Sequence, residues 1–173
     1  MSSIRNFDLF SCLLVLTLML IGLVNIFSVT YFENMDFFSV DNFFGKQLFF
    51  FSICIVIFFI SLMPDIKLYF KYASLIYLLM ILLLLAVLVF GNEVNGSRSW
   101  FSLGGFSFQP SEFMKPVTAL ALAKYLSNVH SDIKRRSIQF YSFLIISIPL
   151  LLIIIQPDPG TALIFLSFYL VLH

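Results

Sequence analysis

Long blocks of almost purely apolar residues alternate with short polar joints along this chain. Continuous apolarity, rather than an amphipathic period, predicts six helices: Asp8–Tyr31, Phe44–Met63, Tyr72–Phe90, Ser111–Ser127, Gln139–Gln156 and Gly160–His173. Several of them are long enough to cross a hydrocarbon layer of about 30 Å. The sixth reaches only about 21 Å and stops at His173 with no cap, glycine or basic flank. The expected fold is all-α: a polytopic transmembrane helix bundle forming one domain over residues 1–173, with a truncated last segment. The chain then reads as the N-terminal part of a longer protein. Its first block is about twice the length of a secretory signal's apolar core and lacks a small-residue cleavage site, which makes it a retained helix.

Charge orients the bundle. Alternate joints carry Arg5, Lys67, Lys71, Lys124, Lys134, Arg135 and Arg136 on one side. The other side carries only Lys46 and Arg98 among Glu33, Asp36, Asp41, Glu93 and Asp158. The positive-inside bias puts the N-terminus in the cytoplasm, and three segments face outward: Phe32–Phe43, Asn95–Glu112 and Gln156–Gly160. Composition agrees with a chain whose solvent is membrane lipid, since 61% of residues are hydrophobic and 11% charged. A net charge of +1 leaves no basic face for nucleic acid. Cys12 and Cys54 lie inside apolar blocks and read as small hydrophobes, so neither a disulfide framework nor a metal site is expected. No cofactor is evident, and a divalent-cation requirement is left open.

Three polar features interrupt the apolar pattern. In Asn95–Glu112, Gly104-Gly105 divides two short runs in the manner of a β-hairpin, pairing Leu103 with Phe106, Ser102 with Ser107 and Phe101 with Phe108. Such a ribbon can be an interfacial aromatic anchor. Alternatively, its Arg98 can hold a phosphate or diphosphate at headgroup level by paired hydrogen bonds. The second feature is Gln109-Pro110-Ser111-Glu112, which opens the fourth helix. Pro110 suits the first helical position, and Glu112 suits the positive end of the helix dipole. Lys115 falls three residues beyond Glu112 on the same face, and Pro116 then bends the helix. Charges kept at such depth line a polar cavity or form a structural ion pair. The third feature is Gln156-Pro157-Asp158-Pro159-Gly160, between the fifth and sixth helices. Asp158 can cap the sixth helix, or it can serve as a rigid carboxylate in the same outer cavity as Glu112.

The run Gly96-Ser97-Arg98-Ser99-Trp100-Phe101, followed by Leu103 to Lys115, resembles a signature of the RodA/FtsW/SpoVE proteins, also called SEDS proteins. Gln156-Pro157-Asp158-Pro159-Gly160-Thr161-Ala162-Leu163 is similar to their second signature, with Pro159 where an apolar residue is usual. The hydropathy pattern fits the first six of that family's ten helices. The resemblance implies a peptidoglycan glycosyltransferase that polymerises lipid II at the outer face of the bacterial cytoplasmic membrane and works with a class B penicillin-binding protein. Residues Ala119 to Ser127 look more like the elongation member of the family than the division member. By the same resemblance Arg98, Glu112, Lys115 and Asp158 contact substrate. The catalytic base is expected C-terminal to His173, so these residues alone are expected to be inactive. Two rival classes share the helix pattern: a transporter or flippase of the lipid-linked precursor, and a non-catalytic membrane scaffold for the penicillin-binding protein.

Overall fold

A computed structural model describes residues 8–31, 42–94, 96–103, 106–128 and 136–172. The elements in chain order are α1 (Leu9–Thr30), α2 (Phe43–Leu62), α3 (Ile66–Phe90), β1 (Asn92–Val94), β2 (Ser97–Leu103), β3 (Phe106–Phe108), α4 (Pro110–Ser127), α5 (Arg136–Ile155) and α6 (Pro159–Leu172). They fall into two compact units, Met1–Asp65 and Ile66–His173. All six expected helices are present, and the fold is helical apart from the small sheet. The residues 32–41, 104–105 and 129–135 of the predicted joints lie outside the described residues, as do Arg5 and His173.

The first unit is a helical pair. Asp8 caps α1, its carboxylate accepting from the N–H groups of Phe10 and Ser11 and from the Ser11 hydroxyl. That hydroxyl bond, followed by the backbone bond from Ser11, holds the Asp8 carboxyl below its ordinary range. Asn42 caps α2 through Gly45 N–H. The end of α1 meets the start of α2 where the rings of Phe27 and Phe44 stand edge to face, 5.3 Å apart. Cys12 and Cys54 are unpaired.

The second unit holds the core, in which Leu84 of α3, Met114 of α4, Leu150 and Ile153 of α5, and Ala162 and Phe165 of α6 pack together. Here α4 touches α3, α5, α6 and β2. By length and composition α1, α2, α3 and α5 can cross a membrane, whereas α4 is not among them and α6 is shorter. The position of α4 explains its composition. A helix packed against three others need not be apolar all round, and its buried face carries Ser111 and Thr118 on either side of Met114. Helix α3 starts at Ile66 rather than Tyr72, because Lys67 and Lys71, which mark a joint in the sequence, are exposed residues of its first turns. Helix α5 likewise starts at Arg136 rather than Gln139.

Two local devices shape the exit from α3. The Gly91 N–H donates to the Val87 carbonyl at 2.7 Å, and any β-carbon at this position would collide with that carbonyl oxygen. Gly96 has φ +81°, the left-handed conformation that turns β1 into β2. The strands form an antiparallel sheet in the order β1-β2-β3, and β2 pairs with β3 in the predicted register: Phe101 opposite Phe108, Ser102 opposite Ser107, Leu103 opposite Phe106. Strand β1 is an addition to the predicted hairpin. Asn-Glu-Val is too short and too polar to read as a strand, and it is held by pairing with β2.

Proline inside α5 creates a backbone problem that the fold resolves. Pro149 has no N–H, so the Ile145 carbonyl four residues earlier loses its helical partner. The Tyr77 hydroxyl of α3 donates to that carbonyl at 2.8 Å. A second bond, 2.6 Å between the Ser147 and Tyr169 hydroxyls, ties α5 to α6. In a medium without water such bonds replace the hydration an open carbonyl would otherwise need. Tyr77→Phe should therefore destabilise the protein by about 1–3 kcal/mol, the cost of an unsatisfied buried acceptor. Pro149→Ala restores an N–H to the Ile145 carbonyl. The double variant should accordingly lose less than the sum of the single changes in thermal unfolding in detergent, and strict additivity would show that the two residues do not share this carbonyl.

Candidate functional site

The polar residues of both signature stretches gather at the end of the second unit where α4 and α6 begin. Gln109 precedes Pro110 at the N-cap of α4, yet its side chain makes no capping bond. Glutamine is not among the favoured N-cap residues, and here the amide reaches elsewhere: Gln109 Nε2 donates to Asp158 Oδ2 at 2.8 Å. The same carboxylate caps α6. Asp158 Oδ1 accepts from Thr161 N–H at 3.1 Å, and Oδ2 accepts from the Thr161 hydroxyl at 2.8 Å. One carboxylate thus receives three donors and binds two helix starts together.

One turn along α4 from Gln109, Glu112 pairs with Lys115, Nζ to Oε2 at 2.6 Å. The pair lies on one face of the helix, as three-residue spacing requires. Its partners differ in surroundings: the Lys115 side chain is 21% exposed and that of Glu112 51% exposed. The lysine stem is packed while the carboxylate is the more open partner. Pro116 follows immediately, so the ion pair stands where the helix loses the hydrogen bond to the Glu112 carbonyl.

The recessed turn after α5 is anchored by Gln156, which is fully buried. Its Nε2 donates to the Leu84 carbonyl of α3 at 3.1 Å, and its own backbone carbonyl accepts from the Ser97 hydroxyl of β2 at 2.7 Å. Ser97 also shares a 2.9 Å bond with Ser99. Alternation along β2 sends the buried Ser99 to the side facing the bundle and leaves Arg98 exposed on the other. Phe108 of β3 stacks on Phe113 of α4 with ring centroids 4.9 Å apart, so the hairpin rests on the start of α4.

The four sequence-predicted residues therefore divide. Glu112 and Lys115 are joined directly, and Asp158 is joined to their helix through Gln109, whereas Arg98 stands on the hairpin with no ion pair to either carboxylate. The side-chain roles of Gln109, Gln156 and Ser97 were not apparent from the sequence. The available signal was Gln109 itself, a poor capping residue standing at a cap. The buried Ser111 Oγ, Thr118 Oγ1 and Gln156 Oε1 have no hydrogen-bond partner among the described residues. No three His, Cys, Asp or Glu side chains come together as metal ligands among those residues.

Residues 8–173 match the model of the FtsW/RodA/SpoVE family, described as cell cycle proteins. Two relatives carry its main names. The probable peptidoglycan glycosyltransferase FtsW of Buchnera aphidicola is 37% identical over 122 residues, 70% of this chain and 32% of that protein. The peptidoglycan glycosyltransferase RodA of Treponema pallidum is 33% identical over 170 residues, 98% of this chain and 38% of that protein. Among solved structures, Thermus thermophilus RodA superposes with a TM-score of 0.80 at 30% identity, covering 93% of this chain and 50% of that one. A chain from a peptidoglycan synthase complex described as coordinating polymerisation and crosslinking gives a TM-score of 0.79, also at 30% identity, covering 93% of this chain and 45% of that one. The chain thus spans about a third to a half of the length of these relatives, and it is an integral membrane protein.

The geometry around Asp158 separates its two tasks. Asp158→Leu removes all three acceptor bonds and should cost about 1–2 kcal/mol, the range for losing a helix cap. Asp158→Asn keeps an oxygen for Thr161 N–H, and a flipped Gln109 amide can accept from the new NH₂, so its loss should be less than about half of that. Thermal unfolding of both variants in detergent checks the order. Equal destabilisation would mean that the cap is not what Asp158 contributes.

Proposed function

Because the chain belongs to the FtsW/RodA/SpoVE family of cell cycle proteins, we propose that it serves the polymerisation of lipid II into glycan strands during cell-wall elongation and cell-shape maintenance. In this reading it lies in the bacterial cytoplasmic membrane with its N-terminus in the cytoplasm, and it works beside a class B penicillin-binding protein. The excess of Lys and Arg in alternate joints of the sequence supports that orientation. Relatives named as peptidoglycan glycosyltransferases support the reaction class, and the similarity to a chain of a peptidoglycan synthase complex supports the partner. The elongation role rests on the Ala119 to Ser127 stretch.

One observation carries the reading most directly: two signature stretches far apart in sequence converge through the Gln109–Asp158 bond on the helix that bears the Glu112–Lys115 pair. Lipid II is an amphiphile whose reacting sugar and diphosphate sit at the membrane edge. An enzyme acting on it needs polar groups at that level, supported from within the bundle. In the transfer, the 4-hydroxyl oxygen of one lipid II forms a bond to the anomeric carbon of the growing chain. The bond from that carbon to undecaprenyl diphosphate breaks, and the hydroxyl proton passes to a base. Arg98 and Lys115 supply positive charge for the departing diphosphate. Arg98 does so with a planar fork of donors, and Lys115 with an ammonium already oriented by Glu112. Asp158 and Glu112 border the sugar. No base is assigned to either carboxylate, since both are engaged in the bonds described.

Arg98 gives the sharpest test. It is exposed and pairs with no carboxylate among the described residues, so Arg98→Ala should leave the unfolding temperature unchanged. Titration of lipid II against the purified chain in nanodiscs should show Kd rising by about tenfold or more, the loss of a charge-assisted hydrogen bond. Arg98→Lys should recover only part of the affinity, because a point charge lacks the fork. An unchanged Kd in Arg98→Ala would remove it from the site. Glycan strands formed from lipid II by the chain alone would require a base among its own carboxylates.

A further inference from the structure

The end of the second unit remote from the hairpin carries a different polar arrangement, which the proposed reaction does not use. Lys67 and Lys71 are four residues apart on α3 and share one exposed face. The Lys71 ammonium lies over the Tyr72 ring, 5.4 Å from its centroid. From the last turn of α4, Lys124 reaches across to the same place: its Nζ is 3.1 Å from the Ser74 hydroxyl and 3.4 Å from the Lys71 carbonyl. Two helices thus contribute lysines to the same end of the unit. Among the described residues neither Lys71 nor Lys124 is paired with a carboxylate, and the ion pair among them, Lys115–Glu112, is near the other end of α4. Lysines gathered at one end of a unit attract an anion.

The same face of α3 then changes character. Leu75, Leu78 and Leu82 continue the line of Lys67 and Lys71 along the helix, and they are 52%, 55% and 52% exposed. Tyr125 of α4 and Tyr141 of α5 approach at 6.2 Å between ring centroids at this end, as aromatic side chains do at headgroup level. Cations above a continuous apolar stripe match an amphiphile with an anionic head and an acyl chain. A soluble anion would engage the cations and leave the stripe unused.

We propose that Lys67, Lys71 and Lys124 form a headgroup site for an anionic phospholipid of the phosphatidylglycerol type, with an acyl chain along Leu75, Leu78 and Leu82. The site is independent of the glycosyltransferase reading, and its occupant is a structural or regulatory lipid rather than the lipid-linked sugar.

Native mass spectrometry of the purified chain, released from nanodiscs of phosphatidylglycerol and phosphatidylethanolamine in equal parts, tests it. The wild type should retain phosphatidylglycerol in preference. Lys71→Gln combined with Lys124→Gln removes both charges. Retention should fall by about fivefold for each charge removed. If that double variant fails to insert, Lys67→Gln with Lys71→Gln changes only exposed side chains and gives the same reading. Undiminished retention in a variant with native circular dichroism would overturn the site, and so would equal retention of the two lipids by the wild type. Displacement of the bound lipid by inorganic phosphate would reassign the cations to a soluble anion and equally overturn it.

Discussion

A bundle in lipid has no water to fall back on, so backbone carbonyls opened inside it are satisfied from other parts of the chain. The second unit is organised by that constraint. The carbonyl opened by Pro149 is taken by Tyr77, which joins α5 to α3. The turn after α5 is held by Gln156 on the Leu84 carbonyl and by Ser97 on the Gln156 carbonyl, which joins α3, α5 and β2. Asp158 closes the set by joining α4 to α6. Each bond is modest by itself, but each also fixes which helices are neighbours, something uniform apolar packing does poorly.

Much of this architecture could be read from residue order. Continuous apolar blocks announced the helices, and Gly104-Gly105 between matched aromatic runs announced the β2–β3 pairing and its register. The Glu112–Lys115 pair followed from spacing on a helix. Other features were beyond such reading for definite reasons. Helix boundaries near Lys67 and Arg136 were misplaced by a few residues, because charge marks the membrane edge and a helix is free to continue past it. The partners of Gln109, Gln156 and Tyr77 lie 49, 72 and 68 residues away, and local propensity carries no information about bonds at such distances. Strand β1 forms only because β2 is beside it.

The two halves of the candidate site differ in mechanical character. Asp158, Gln109 and Thr161 are mutually bonded at helix starts, where the backbone is fixed by Pro110 and Pro159. Glu112 and Lys115 face a more open region beside Pro116, where α4 lacks one backbone bond. Under the proposed function, rigid support on one side and local freedom on the other would suit the binding and release of a large amphiphile.

The hydroxyl of Ser97 on the Gln156 carbonyl has a consequence for how the chain can change over time. Side chains on a strand alternate between faces, so inserting one residue between Ser97 and Arg98 would turn the guanidinium towards the bundle and carry the buried Ser99 position out to solvent. A change of two residues would preserve the facing of every side chain. The strand is therefore under a parity rule: with this anchor kept, insertions after it preserve the facing of its side chains only in even steps, unless a bulge absorbs the extra residue.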